Sequence, residues 1–325
     1  MSKIGNTTLR DKPLFLAPME DVSDASFRKI CKSYGADYLY TEFISSDALL
    51  KDIKRTKLKM QIYEDERPVG IQIYGNIVSN MISAAKIAEE FNPDVIDINF
   101  GCPVKKIANR GGGSGMLRDI PKMLEITSEI VKAVNLPVTV KTRIGWDDKS
   151  IVIPDLAEQL QDCGIHALTI HGRTRAQMYT GEADWETIGK VKNNSRIKIP
   201  IIGNGDMDSP EKVAQMFDRY GVDGIMIGRG SIGNPAIFKH VRHFLDTGKK
   251  LPALSLTEQV EHLRVLVNSS IEAKGLPGGL LHMRRHMAKN FADLENFRDL
   301  RIKMLRCNEP DELNKIFDQI IEVFG

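Results

Sequence analysis

The chain has 325 residues, of which 42% are hydrophobic and 27% are charged, and its formal net charge is +2. This content is ample for a packed core and suits one large domain with a smaller second one. The sequence has no apolar run of roughly 18 residues, no segment of signal-peptide type and no CxxC pair. We therefore expect a reduced, cytoplasmic protein without a membrane span. The near-neutral charge neither requires nor excludes a nucleic-acid partner.

Eight short apolar segments, each rich in Ile, Val, Leu or Tyr, recur along the first two thirds of the chain. They lack strict alternation, which is typical of parallel strands buried on both faces. Helix-periodic segments such as 77–91, 119–134, 153–163 and 209–220 lie between them. The predicted strands are Leu14–Met19, Asp37–Phe43, Val69–Tyr74, Val95–Phe100, Pro137–Thr142, Ala167–His171, Ile199–Gly203 and Gly224–Gly228.

Eight strand–helix units in about 240 residues predict a closed (β/α)8 TIM barrel. An open doubly wound sheet would rarely need eight equivalent units, and no G-x-G-x-x-G motif follows the first strand. After residue 250 the pattern changes to helical segments at 257–274, 280–292, 294–306 and 309–324, with Thr257 at the first helix start. The chain is therefore predicted to hold an α/β barrel domain at 1–248 and a small all-helical bundle at 249–325.

Candidate catalytic groups follow the fourth strand, at the end where barrel active sites are built. The strand runs into Asn99 and a Gly-Cys-Pro turn that carries Cys102. A free cysteine is commonly a small buried hydrophobe. The run after Cys102 is basic, Gly-rich and without helical or strand periodicity, which favours a long functional loop.

The loops after the seventh and eighth strands predict a phosphate site. They carry Asn204-Gly205-Asp206 and Gly228-Arg229-Gly230, which offer backbone N–H groups, close approach and one guanidinium. Either motif alone fits ordinary turn chemistry. Together, at the two strand ends that commonly bind phosphate in barrels, they favour a phosphorylated ligand.

Lys141 and His171 also follow strands, and the sequence leaves their roles open. Lys141 suits a Schiff-base nucleophile, and it equally suits a permanent cation beside an electron-rich cofactor ring. His171 suits a general base or a hydrogen-bonding core residue. Their spacing does not separate these alternatives.

Basic residues concentrate in three segments: residues 51–59, the loop after Cys102, and residues 284–306. Solvated helix faces commonly carry such stripes. Three stripes around one barrel mouth would also fit the phosphate backbone of a nucleic acid.

Taken together, these motifs resemble the tRNA-dihydrouridine synthases, which are FMN-dependent barrels with a helical RNA-binding domain. Met283-Arg284-Arg285-His286 is similar to the Arg-Lys-His helix of the bacterial B-type branch. Glu20 departs from the family pattern, because many relatives have a small residue there. The matching motifs occur in the family's order and are Ala17-Pro18-Met19, Gln72-Ile73-Tyr74-Gly75, Asp97-Ile98-Asn99-Phe100-Gly101-Cys102-Pro103, Gly113-Ser114-Gly115, Val140-Lys141-Thr142-Arg143, Ile170-His171-Gly172-Arg173-Thr174-Arg175, Asn204-Gly205-Asp206 and Gly228-Arg229-Gly230.

The resemblance implies a role for each matching position. Pro18 and Met19 would pack on the flavin, Gln72 would bond its polar edge, and Lys141 would face its N1/C2 side. Asn99 and Arg173 would contact the uracil, and Arg284 and Arg285 would bind tRNA. The phosphate would be held by His171, Asn204, Gly205, Asp206, Gly228 and Arg229.

The implied reaction is reduction of the C5=C6 bond of D-loop uridines in tRNA. Hydride would pass from FMN to C6, and NADPH would re-reduce the flavin. Cys102 would then protonate C5, because an unperturbed thiol, with a pKa of about 8.5, is mostly protonated at neutral pH. We expect a monomer that needs no metal. The alternatives are an FMN oxidoreductase of a free pyrimidine, a Schiff-base lyase that uses Lys141, and a non-catalytic RNA-binding protein.

Overall fold

The computed structural model describes residues 2–51, 53–291 and 294–325, except the side chains of Lys54 and Arg55. Strands β1 to β11 span, in order, Lys3–Ile4, Thr7–Thr8, Leu14–Leu16, Leu39–Tyr40, Ile44–Ser45, Val69–Tyr74, Val95–Phe100, Val138–Arg143, Ala167–His171, Ile201–Asn204 and Gly224–Ile227. Helices α1 to α14 span, in order, Ala25–Ser33, Ser46–Leu50, Lys54–Leu58, Val78–Glu89, Lys105–Ala108, Ile120–Ala133, Ile153–Asp162, Trp185–Lys192, Pro210–Tyr220, Ile237–Thr247, Leu256–Lys274, Gly278–Met287, Arg298–Arg306 and Pro310–Phe324.

The parallel strands form a closed barrel. Their order is β3-β11-β10-β9-β8-β7-β6-β4, with β5 also paired to β6. A parallel bridge between Phe15 and Tyr38 closes β4 onto β3, and the backbone N–H of Leu16 donates to the carbonyl of Tyr38 at 2.9 Å. The predicted (β/α)8 barrel is therefore confirmed, and each of the eight predicted strands overlaps an observed one.

Apolar side chains fill the lower part of the barrel interior, and a short hairpin covers that end. Phe15, Tyr38 and Tyr40 pack there with Ile202 and other apolar residues. The hairpin consists of β1 and β2, and Ile4 within it belongs to the same buried cluster. The sequence analysis did not predict this hairpin, because strands of two residues carry no measurable periodicity.

Helix starts follow the expected capping chemistry with one correction. Ser209 caps α9 by accepting from the backbone N–H of Lys212, as its position before Pro210 predicts. The helix at the start of the bundle is capped by Ser255 and not opened at Thr257. Ser255 forms a reciprocal capping box with Glu258, which satisfies two backbone donors.

The segment after Cys102 is more regular than its composition indicates. It contains the short helix α5 and a 3₁₀ turn over Gly113–Arg118. The predicted long loop therefore contains two short helical elements that the sequence did not indicate. Single helical turns of four to six residues are too short to give a detectable period.

Helices α11–α14 form the predicted bundle and pack on α1 of the barrel. The rings of Phe27 and His286 lie 4.6 Å apart, and one continuous apolar core includes both parts. The segments predicted at 280–292 and 294–306 are the shorter helices α12 and α13, and Ala292 and Asp293 lie outside the described residues. The boundary near residue 248 stays a prediction. Within the described ranges, no helix has the length and apolar character that crossing a membrane requires.

Candidate active site

A cavity of about 800 Å³ opens at the carboxyl ends of the barrel strands. Cavities of roughly 300–1,000 Å³ commonly hold small molecules and cofactors. Twelve of the residues singled out in the sequence line it. They are Pro18, Met19, Asn99, Cys102, Lys141, His171, Arg173, Asn204, Gly205, Asp206, Gly228 and Arg229.

The loop after β10 organises two guanidinium groups at one end of the cavity. The Asp206 carboxylate accepts from Arg173 Nη2 at 2.8 Å and from Arg229 Nη2 at 3.2 Å. Gly205 has φ +132°, and a Cβ there would lie 2.5 Å from Ala183 Cβ, so this turn requires glycine. The predicted phosphate loops therefore present fixed cationic groups to one shared volume.

Arg173 is buried at this end of the cavity and is already well bonded. Besides Asp206, it donates to the carbonyls of Thr180 at 3.1 Å and Gly181 at 2.6 Å. Most of its hydrogen-bonding capacity is thus used within the protein. Its predicted contact with uracil stays a prediction.

His171 is a neutral ring at physiological pH. Burial and the nearby cations Arg143, Lys141, Arg173 and Arg229 lower its pKa well below the ordinary value. Its Nε2 lies 3.4 Å from Arg173 Nη1, where a neutral imidazole nitrogen serves as acceptor. His171 therefore supports Arg173 without adding charge to the site.

Lys141 lies between the two ends of the cavity. Burial, followed by the charge of Arg143, lowers its pKa to about 8, although Asp97 acts in the opposite direction. Its Nζ donates to Asn204 Oδ1 at 3.3 Å, and Asn204 Nδ2 donates to the Met226 carbonyl at 2.8 Å. The lowered pKa fits both a nucleophilic lysine and a cation poised beside an anionic ring, so it does not choose between them.

Cys102 forms the opposite wall and is buried, with 7% of its surface exposed. Burial is the main cause that raises the pKa of its thiol. The Cys102 carbonyl accepts from Ser114 Oγ at 2.7 Å, and a Cβ at Gly113 would lie 3.0 Å from Cys102 Cβ. The thiol is thus protonated at neutral pH and held by a closely packed loop.

Gln72 lies beneath this wall, and its side chain is fully buried. Its Nε2 atom donates to Asp97 Oδ2 at 2.5 Å, and its Oε1 atom accepts from Asn99 Nδ2 at 2.7 Å. A direct contact between Gln72 and the flavin therefore stays a prediction.

Two further wall residues received no role from the sequence. Arg143 is buried, and its pKa is lowered to about 10, chiefly by burial. Tyr179 is half exposed, with the guanidinium of Arg229 at 4.7 Å from its ring centroid and that of Arg143 at 5.6 Å. Its position on the loop after β9 was a usable signal, but only the fold shows that this loop turns back over the cavity.

The neighbouring arginines of α12 have different partners. Arg285 donates from Nη1 to the carbonyls of Glu20 at 2.9 Å and Asp21 at 3.0 Å, at the cavity mouth. Arg284 donates to Asn308 Oδ1 at 2.8 Å, just beyond the end of α13. Neither lines the cavity, whereas Lys289 does.

Carboxylates of Glu20, Asp21 and Glu42 cluster beside the mouth and are matched by cations. Lys59 lies 2.5 Å from Glu20 and 3.2 Å from Glu42, and Arg285 lies 3.3 Å from Asp21. Lys59, part of the basic segment 51–59, therefore neutralises acids of the loops after β3 and β4. Asp52 and the side chains of Lys54 and Arg55 from that segment lie outside the described residues.

These features define a class of protein: a barrel whose cavity at the carboxyl ends of the strands combines paired guanidinium groups with a buried thiol. FMN fits the residues present, because Pro18 and Met19 give an apolar surface while Arg229 and exposed backbone N–H groups suit a phosphate.

Comparison with known proteins identifies the family. The family described as "Dihydrouridine synthase" matches residues 15–323, and the chain belongs to it. A "Probable tRNA-dihydrouridine synthase" of Rickettsia bellii is 37% identical over 329 residues, covering 100% of this chain and 98% of that protein. A "tRNA-dihydrouridine synthase B" of Pseudomonas aeruginosa is 39% identical over 316 residues, covering 95% and 92%. The family resemblance drawn from the sequence motifs is thereby confirmed.

Solved structures support the fold alone. Histamine dehydrogenase from Rhizobium sp. 4-9 aligns with a TM-score of 0.55 at 13% identity, covering 88% of this chain and 50% of that one. An amine oxidase from Pseudomonas geniculata aligns with a TM-score of 0.56 at 14% identity, covering 76% and 48%. The chain thus spans about half the length of these two neighbours, which share its barrel.

Proposed function

We propose that the chain reduces the C5=C6 bond of D-loop uridines in tRNA to dihydrouridine, with FMN as the flavin and NADPH as its reductant. The enzyme is a flavin-dependent oxidoreductase that acts on tRNA uridine, in accord with its family and relatives. The observation that carries the proposal is a buried thiol, Cys102, in the same cavity as an organised cationic phosphate end.

FMN would be held along the length of this cavity. Arg229, Gly228 and the turn at 204–206 would bind its phosphate, and Pro18 with Met19 would pack on its rings. Lys141 would stand beside the ring system, where a cation balances negative charge. When bound and reduced, FMN supplies the hydride that C6 of uracil accepts.

Cys102 would act as the general acid. Hydride addition at C6 leaves enolate-like charge at C5 and O4 of uracil, which needs a proton at C5. A thiol whose pKa is raised by burial keeps its proton at neutral pH and can donate it there. This environment is opposite to that of nucleophilic cysteines, whose pKa is depressed.

The chain's polar residues would orient the base and its surroundings. Asn99 lines the cavity next to Cys102, and the backbone N–H of Cys102 donates to Asn99 Oδ1 at 2.9 Å. The uridine lies inside a folded RNA, so it must be extruded into the cavity. Arg284, Arg285 and the rest of the basic segment 284–306 would hold the RNA backbone. The proposal includes a monomeric, metal-free enzyme that works in the cytoplasm.

The test uses FMN-loaded protein, NADPH and tRNA that lacks dihydrouridine. Mass spectrometry of nucleosides and nuclease fragments should show a gain of about two mass units at D-loop uridines. Cys102→Ala should keep the flavin spectrum and lose turnover by about 10²-fold or more. Cys163→Ala, at a half-buried thiol outside the cavity, is the matched control. Full reoxidation of the flavin by tRNA in Cys102→Ala would exclude the thiol as acid.

The same assay separates the remaining alternatives. NADH in place of NADPH tests the reductant, and free uracil tests a pyrimidine oxidoreductase. NADPH oxidation without a mass gain would move the substrate to another RNA or another pyrimidine.

A further inference from the structure

A chain of three buried polar side chains runs behind the Cys102 turn. Asp97 and Asn99 lie on β7, and Gln72 lies between them on the neighbouring strand β6. We propose that Asp97 is a positioning residue of the reaction, which sets through Gln72 and Asn99 the direction of the hydrogen bonds that hold Cys102. The inference rests on the proposed role of Cys102 as the acid.

The contacts form an unbroken sequence. Gln72 Nε2 donates to Asp97 Oδ2 at 2.5 Å, and Asn99 Nδ2 donates to Gln72 Oε1 at 2.7 Å. Asn99 Oδ1 then accepts from the backbone N–H groups of Gly101 and Cys102, each at 2.9 Å. Both amide groups are therefore bonded at both their donor and acceptor ends.

The direction of this sequence is set at Asp97. An ionised carboxylate only accepts hydrogen bonds, so Gln72 must present its NH2 group to it. The Gln72 oxygen then faces Asn99, so Asn99 must donate to it from its own NH2 group. Asn99 Oδ1 is then left to accept from the two N–H groups of the Cys102 turn. The Asp97 carboxylate therefore sets the orientation of the Gln72 and Asn99 amides, each of which could otherwise lie either way round.

The hydrogen bond to Thr139 does not by itself require a carboxylate at position 97, although its charge also raises the pKa of Lys141. Asp97 has 1% of its surface exposed, and its other oxygen accepts from Thr139 Oγ1 at 2.6 Å. Burying a charge is costly, and a buried position next to Thr139 would be served as well by an asparagine oxygen. An asparagine would, however, present a different group to Gln72. Its NH2 group donates a hydrogen bond at the place where the carboxylate accepts one.

Asp97→Asn should reverse both amides as long as the Thr139 hydroxyl donates to the oxygen at position 97, as it now donates to Asp97 Oδ1. With its oxygen kept by Thr139, the new amide would donate to the Gln72 oxygen. Gln72 would then donate to Asn99, and the Asn99 NH2 group would face the N–H groups of Gly101 and Cys102. Donors cannot bond donors, so the turn must shift. A displacement of about 1 Å at a reacting group costs about 10²-fold in rate.

The double variant Gln72→Glu with Asp97→Asn restores the original direction. The carboxylate introduced at position 72 accepts from both the amide at position 97 and the Asn99 NH2 group. The Asn99 oxygen returns to the Cys102 turn. A merely structural role for Asp97 predicts no such rescue, because the double variant changes two buried residues instead of one.

The experiment compares wild type, Asp97→Asn, the double variant and Thr139→Val in FMN-loaded form. Thr139→Val is the matched control, since it removes the other Asp97 bond without changing the direction of the amides. Two readouts are taken: turnover with saturating tRNA, and the rate of Cys102 alkylation by iodoacetamide, followed by peptide mass spectrometry. Cys163 in the same sample is the internal reference.

Asp97→Asn should lose about 10²-fold in turnover and change the Cys102 alkylation rate several-fold, with Cys163 unaffected. The double variant should recover both readouts to within about fivefold, and Thr139→Val should stay near wild type. Wild-type turnover in Asp97→Asn, or a double variant no better than the single one, overturns the proposal. If Asp97→Asn does not fold, the double variant alone tests the proposal. A double variant that folds and turns over supports it, and one that does neither overturns it. The alkylation readout needs no tRNA, so failure of the proposed reaction would be distinguishable from failure of this inference.

Discussion

The Nε atom of Arg143 donates a hydrogen bond of 2.8 Å to the carbonyl oxygen of Gly101, the residue before Cys102. From Nη1 the same guanidinium donates to the carbonyls of Thr174 at 2.9 Å and Met178 at 2.8 Å. One side chain thus joins the loop after β7 to the loop after β9. The thiol and the wall that carries Tyr179 are consequently positioned together.

Replacing Arg143 by methionine should damage both stability and catalysis. Three buried or partly buried carbonyls would lose a charged donor, which should lower the free energy of unfolding by about 3 kcal/mol. The released Gly-Cys-Pro turn should reduce turnover by about 10²-fold. Urea denaturation and single-turnover kinetics measure the two effects. Arg175→Met, on the same rim against Trp146, is the control, and equal losses in both variants would contradict the assigned role.

Arg229→Met should weaken the binding of FMN more than that of riboflavin, which lacks the phosphate. Arg229 pairs with Asp206 at 3.2 Å and lines the end of the cavity that is proposed to bind the phosphate. Loss of a charge-assisted contact should raise the Kd for FMN by about 10- to 100-fold and leave riboflavin nearly unchanged. Fluorescence titration of the flavin-free protein measures both. Arg219→Met, at an exposed arginine paired with Glu186, should leave both affinities unchanged. Equal weakening of FMN and riboflavin would place the phosphate elsewhere.

His286 should make the protein sensitive to acid. Its ring is fully buried between barrel and bundle, and neither ring nitrogen has a hydrogen-bond partner among the described residues. Burial is the main cause that lowers its pKa to about 4; His282 and Arg285 act in the same direction and Asp24 opposes them. The unfolded chain, with a histidine pKa of about 6.5, therefore takes up the proton first. The stabilisation is complete above pH 6.5 and is lost as the pH falls toward 4.

Between pH 7 and pH 5 this histidine should cost about 2 kcal/mol of unfolding free energy. His286→Phe keeps an aromatic ring against Phe27 and should flatten that part of the pH profile, as measured by urea denaturation at each pH. His166→Gln, at an exposed position, should keep the wild-type slope. Parallel slopes in wild type and His286→Phe would show that other groups carry the acid sensitivity.

The sequence was sufficient to predict the barrel because its strands are buried on both faces and each ends in recognisable turn chemistry. Because all strands are parallel, their carboxyl ends lie at the same end of the barrel. Cys102, Lys141 and the predicted phosphate loops were therefore expected to lie close together there. The partner of the Gln72 side chain could not be predicted from the sequence pattern. It pairs with Asp97 in the β6–β7 register, so its side chain meets that carboxylate beneath the cavity floor. Neither strand's own sequence reveals which residue on the neighbouring strand lies opposite.

The bundle shows a second limit of sequence reasoning. Arg284 and Arg285 are adjacent and looked equivalent as candidate tRNA contacts. Successive helical residues point about 100° apart, so Arg284 meets the end of α13 and Arg285 meets the first barrel loop. The stripe of cations therefore contains side chains with different partners, and composition alone does not separate them.

This difference predicts separate outcomes for the basic residues of the bundle. Lys289 is exposed at the cavity mouth, so Lys289→Gln should weaken tRNA binding and reduce the salt slope, d log K/d log[salt], by about one. Arg284→Gln should also weaken tRNA binding and, unlike Lys289→Gln, should lower the free energy of unfolding by about 1–2 kcal/mol, because its guanidinium donates to Cys307 and Asn308 just after α13. Filter binding across a salt series and urea denaturation give the two readouts. Lys132→Gln, at an exposed cation on α6, should alter neither by a comparable amount. A full salt-slope change in Arg284→Gln, with stability unchanged, would mean that its contact with α13 opens for RNA.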